Sequence, residues 1–187
     1  MNLPNKLTVS RLWLTATFVV CFSFGFSGRF TLALSVFIVA TVTDYLDGVI
    51  ARRRNLITDF GQLMDPLADK ILTASAFISL AAINCFPAWA VIVVISREFL
   101  ITGLRSLAAS KGIVVPADKL GKHKTAWQMI TIIYFLLLLS IGEWTGSAWK
   151  GPAWAFGTYG LVSITVFLTV YSGAAYLYKN RSLIQTG

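Results

Sequence analysis

Residues 30–54 read FTLALSVFIVATVTDYLDGVIARRR. From Phe30 to Thr43 there is no charge; then come Asp44 and Asp47, and the run closes on Arg52, Arg53 and Arg54. An apolar stretch of this length, ending on two acids and then three arginines, reads as a helix leaving an apolar medium at a polar end. Asp44 and Asp47 stand at i and i+3, so a helix places both on one face. Gly48 and Ala51 continue that face one turn on, where small side chains let a ligand or another backbone come close. Arg52 follows at the helix end, within reach of a phosphate.

The rest of the chain has the same character. It has 187 residues, 56% hydrophobic, with a mean hydropathy of +0.71 and only 13% charged residues. That charged share is about half of what soluble domains carry. Six apolar blocks emerge: Leu12–Phe26, Phe30–Ile50, Leu63–Phe86, Ala88–Ala109, Ala126–Ile141 and Ala153–Tyr178. A spanning helix needs about 20 residues, so the short first and fifth blocks are expected to extend into their polar flanks. The expected fold is all-α: one domain over residues 1–187 with six transmembrane helices. Asn2–Thr8 is expected to form a short interfacial segment, with Lys6 and Arg11 toward lipid headgroups. The first block follows basic residues as a signal peptide would, but it lacks a small-x-small cleavage site and reads as a retained helix.

Charge placement gives the orientation. Threading six helices from a cytoplasmic N-terminus puts fourteen Lys and Arg residues on one side, and leaves Arg29 and Lys150 on the other. Both termini are therefore expected in the cytoplasm, in a multi-pass protein of the cell membrane. The net charge of +8 does not point to nucleic acid, because the basic residues border apolar blocks and no soluble basic domain presents them. Cys21 and Cys85 fit no metal or redox spacing. Most of the six tryptophans flank blocks, as in an aromatic belt.

The acids are concentrated. Of eight, five lie between positions 44 and 69. Asp65 and Asp69, at i and i+4, form a second pair at the cytoplasmic end of the third block. Carboxylates at membrane depth are costly, and four together repel unless protonated or bound to cations. Two helices joined by a short loop can bring both pairs together as a metal or ion site. Oxygen ligands without Cys or His favour Mg²⁺ or Mn²⁺ over zinc. A cation transporter would instead spread its acids along a pathway, and would give no reason for Gly48, Ala51 and Arg52. Asp59 reads as a loop solvation residue. Pro66, between two of the acids, either opens the third helix or kinks it.

The pattern Asp44-x₂-Asp47-Gly48-x₂-Ala51-Arg52-x₈-Gly61-x₃-Asp65-x₃-Asp69 matches all eight specified positions of the CDP-alcohol phosphotransferase signature. The resemblance extends through Asn2-Leu3-Pro4-Asn5, Ser96-Arg97-Glu98-Phe99, Thr102-Gly103-Leu104-Arg105 and Gly121-Lys122-His123-Lys124-Thr125. Together these resemble the bacterial branch of that family that forms phosphatidylglycerophosphate. The final helix and tail carry no recognised motif.

The resemblance implies two metal ions held by Asp44, Asp47, Asp65 and Asp69, with Asp69 also the catalytic base. It implies CDP-diacylglycerol as donor, bound by Gly48, Ala51, Arg52, Thr58 and Gly61, and glycerol 3-phosphate as acceptor. It further implies a homodimer, and the charge placement turns the active site of this bilayer protein toward the cytoplasm. The acceptor phosphate needs cations, and the candidates are Arg97, Arg105, Lys122 and Lys124; the competing role for Arg97 and Arg105 is a structural network with Glu98. His123 is expected to be a solvated loop residue. Two same-family alternatives keep the donor chemistry and change the acceptor: a cardiolipin synthase using phosphatidylglycerol, and a phosphatidylinositol phosphate synthase.

Overall fold

The computed structural model describes the backbone of residues 3–54, 59–110, 119–146 and 152–181, and within these the side chains of 9–43, 70–110, 121, 123–146 and 157–181. Among the described residues the regular elements are six α-helices: α1 (Leu3–Ser23), α2 (Arg29–Arg54), α3 (Asp59–Ala82), α4 (Ala88–Ser110), α5 (Lys119–Thr145) and α6 (Pro152–Lys179). Each apolar block became one helix. As expected, α1 and α5 run well beyond their blocks into polar sequence. The N-terminal segment is continuous with α1 from Leu3 and forms no separate surface helix, because Pro4 falls in the first turn, where a missing amide costs nothing. Pro66 lies inside α3, seven residues after its start, so the open choice resolves against helix initiation. The Gln62 carbonyl consequently has no i+4 amide to accept from.

The helix ends follow their local sequence. Gly28, with φ +85°, reverses the chain ahead of α2. Asn84, with φ 59°, closes α3, its amide bonded to the Ala81 carbonyl at 2.9 Å and that of Cys85 to the Leu80 carbonyl at 2.9 Å. This pair of bonds is a Schellman cap. Gly146, with φ +63°, follows α5.

The helices group into two compact units. The first comprises residues 1–85 with 132–150, the second 86–131 with 151–187, so α5 contributes to both. In the first, α1 packs against both α2 and α3. Phe18, Phe37 and Phe77 are wholly buried there, with Ala33, Ala40 and Ala76 allowing close approach. In the second, α4 packs against α6.

Apolar side chains cover the outside of the helices as well as filling the core. Every helix carries large exposed apolar side chains, such as Val20, Val39, Ile78, Ile92, Ile130 and Phe167. Gln128, Thr131, Thr165, Thr169 and Ser172 are buried among the apolar core residues. Other hydroxyls bond back within their own helix, Thr15 to the Arg11 carbonyl at 2.9 Å and Thr41 to that of Phe37 at 2.8 Å. Such a bond satisfies the hydroxyl within its own helix. Residues 123–145 and 157–179 are each long and apolar enough to cross a membrane.

Candidate functional site

The acidic motif lies on the continuous helices α2 and α3, both packed on α1. Asp44, Asp47, Gly48, Ala51 and Arg52 stand on α2, and Gly61, Asp65 and Asp69 on α3. Helical backbone through both runs gives the i, i+3 and i, i+4 spacings the shared faces read from sequence. The side chains of these eight residues lie outside the described residues, as does Thr58 altogether. Four carboxylates on two helices would make an all-oxygen donor set, the kind suited to hard divalent cations. Among the described residues no other group of His, Cys, Asp or Glu could hold a metal ion.

The far end of α2 is fixed by a residue that sequence reasoning missed. Glu143, near the end of α5, accepts the amides of Gly28 (2.8 Å) and Arg29 (3.1 Å) on Oε1 and that of Phe30 (3.1 Å) on Oε2. Helix N-termini leave their first amides unpaired and carry a partial positive charge, and a carboxylate answers both. Ser140 Oγ meets Thr31 Oγ1 at 2.7 Å, and Trp144 Nε1 donates to Thr31 Oγ1 at 2.7 Å. One turn of α5 thereby clamps the start of the helix that carries Asp44 and Asp47.

In the second unit, α4, α5 and α6 assemble a cationic cluster around Glu98. Arg97 Nη1 donates to Glu98 Oε1 at 3.2 Å, and Lys124 Nζ pairs with the same oxygen. The Lys124 side chain is only 2% exposed. Arg97 Nη2 donates to Ser172 Oγ at 3.2 Å. Two cations meet on one carboxylate oxygen in a largely buried place. Arg105 is exposed, with its guanidinium 5.7 Å from the Tyr176 ring centroid, and makes no ion pair among the described residues. The network with Glu98 thus takes in Arg97 but not Arg105. Lys122 is on α5 with its side chain outside the described residues, and His123 is exposed on that helix rather than in a loop.

α6 supplies much of the polar interior. Thr165 meets Thr131 at 2.8 Å, Gln128 Nε2 donates to Thr169 Oγ1 at 3.5 Å, and Ser172 joins Arg97. The signal was in the sequence: Thr158, Thr165, Thr169, Ser172 and Tyr176 recur at intervals of seven, four, three and four, one helix face.

Comparison with known proteins covers the same span. The model of the CDP-alcohol phosphatidyltransferase family matches residues 1–172. A CDP-diacylglycerol–glycerol-3-phosphate 3-phosphatidyltransferase of Bacillus subtilis (strain 168) is 40% identical, covering 99% of this chain and 98% of its own. A Mycoplasma pneumoniae protein of the same name is 34% identical over 95% of this chain and 88% of its own. A probable phosphatidylglycerophosphate synthase of Mycobacterium tuberculosis (strain H37Rv) is 34% identical over 94% and 80%.

Proposed function

The chain belongs to the CDP-alcohol phosphatidyltransferase family, and from that premise we propose that it makes phosphatidylglycerophosphate and CMP from CDP-diacylglycerol and sn-glycerol 3-phosphate. The observation that carries this reading is the end-to-end similarity to relatives named for that reaction.

Asp69 takes the proton from the C1 hydroxyl of glycerol 3-phosphate, a poor nucleophile until deprotonated. The freed oxygen bonds to the lipid-bearing phosphorus. The bond from that phosphorus to the bridging oxygen breaks, and its electron pair leaves with CMP. Arg52 and Thr58 hold the nucleotide, with Gly48, Ala51 and Gly61 allowing its close approach. Asp44, Asp47, Asp65 and Asp69 would hold two Mg²⁺ or Mn²⁺ ions, which when bound neutralise the pyrophosphate. Arg97, Arg105, Lys122 and Lys124 hold the acceptor phosphate. The meeting of Arg97 and Lys124 at one oxygen of Glu98 supports this assignment.

All six helices cross the bilayer in this reading, as one catalytic domain with both termini and the active site on the cytoplasmic side. The apolar outer faces and the fourteen-to-two division of basic residues support that topology. The homodimer is carried by family resemblance.

The test is an acceptor panel with purified protein, CDP-diacylglycerol and Mg²⁺ or Mn²⁺. CMP release with glycerol 3-phosphate, but not with inositol phosphate, serine or phosphatidylglycerol, is expected. Release with another acceptor alone would move the chain to a different branch, and no release with any would end the enzyme reading.

A further inference from the structure

We propose that Ser172 and Gly173 of α6 act with Glu98 as positioning residues for Arg97, presenting its Nε–H to the acceptor's phosphate. The inference rests on the reading of glycerol 3-phosphate as acceptor, and deepens it by naming the donor atom and what holds it.

A guanidinium is a rigid planar fork, so fixing two nitrogens fixes the third. Arg97 Nη1 is held by Glu98 Oε1 and Nη2 by Ser172 Oγ, each at 3.2 Å. Nε is buried and has no hydrogen-bond partner among the described residues. A buried donor on a cation is costly when unmade, and an incoming oxyanion satisfies it. The Ser172 hydroxyl is itself oriented. It donates to the Thr169 carbonyl at 3.1 Å, which turns a lone pair toward Arg97.

Gly173 completes the arrangement. A Cβ built there would stand 3.0 Å from Arg97 Cγ and 3.7 Å from Nε. The stem of Arg97 therefore lies against α6 backbone, and any side chain at 173 pushes it away. Cγ is near the root of the side chain, so a shift of a few tenths of an ångström there swings the guanidinium off both Glu98 and Ser172.

Steady-state kinetics of the full-length protein test this through Gly173→Ala and Ser172→Ala, with KM measured separately for glycerol 3-phosphate and CDP-diacylglycerol. Each variant is expected to raise the acceptor KM about tenfold, the effect of one charge-assisted hydrogen bond. The donor KM stays unchanged, which also reports an intact fold. Ser172→Thr, which keeps the hydroxyl, restores most of the acceptor affinity. An unaltered acceptor KM in both variants overturns the inference, and so does a donor KM that rises in parallel. No turnover by the wild-type chain with glycerol 3-phosphate overturns the acceptor reading itself, and the inference with it.

Discussion

Replacing Glu143 with alanine removes the acceptor for the first turn of α2. Three amides lose a carboxylate now 2.8 to 3.1 Å away. A helix cap is worth about 0.5–2 kcal/mol and a hydrogen bond to a charged group about 1.5–3 kcal/mol. The site is only half-buried, so water replaces part of what is lost. Ser140 and Trp144 keep their own bonds to Thr31. The net cost comes to about 2 kcal/mol, which for a chain of this size lowers Tm by about 4–8 °C. Glu143→Gln retains one acceptor oxygen and should lose about half as much. Asp44 and Asp47 lie fifteen and eighteen residues beyond Arg29, about 22 and 27 Å along the helix axis. The substitution should therefore leave both substrate KM values alone. Thermal unfolding in detergent, paired with kinetics below the transition, separates the two effects. An unshifted Tm would refute the capping role, and a changed donor KM would refute its independence from the aspartates.

Asp69→Asn should abolish turnover while CDP-diacylglycerol binding, measured directly, survives in part; unchanged turnover would remove Asp69 from the base role. Arg105→Ala should raise the KM for glycerol 3-phosphate by about tenfold or more, with little effect on Tm because the guanidinium is exposed; an unaltered KM would assign Arg105 to structure. Treatment with EDTA should eliminate CMP release, with Mg²⁺ or Mn²⁺ restoring it and Zn²⁺ failing to. Activity that persists after exhaustive chelation would exclude the divalent-ion role of the four aspartates.

The helices were legible because the apolar blocks are long and their ends carry charge. α4 was placed to within a residue at its C-terminal end by the stop of hydrophobicity near Ala109. The starts of α1 and α5 were harder: the polar residues of 3–11 and 119–125 continue a helix without lengthening its apolar run, so only the need for a spanning length pointed to them. The family was legible from the acidic motif because the motif's information is local, eight residues within 26 positions. The Glu98 cluster was half legible. Sequence reasoning named Arg97 and Arg105 as the competing partners of Glu98, whereas Lys124, 26 residues from Glu98, joins Arg97 there. The cap by Glu143 was not legible, because a carboxylate 113 to 115 residues from the amides it accepts leaves no periodic trace. Ser172 lay in a helix without a recognised motif, and its stripe of hydroxyls is a pattern that also occurs where such groups only bond back to their own helix.

The central claim is that the phosphatidyl group moves intact from CDP-diacylglycerol to glycerol 3-phosphate. It is tested most directly by following labelled glycerol 3-phosphate into lipid while measuring CMP in the same reaction. One labelled phosphatidylglycerophosphate per CMP is the predicted result, lost in Asp44→Asn and Asp65→Asn. CMP released without labelled lipid, or labelled lipid still formed by both variants, would contradict the account.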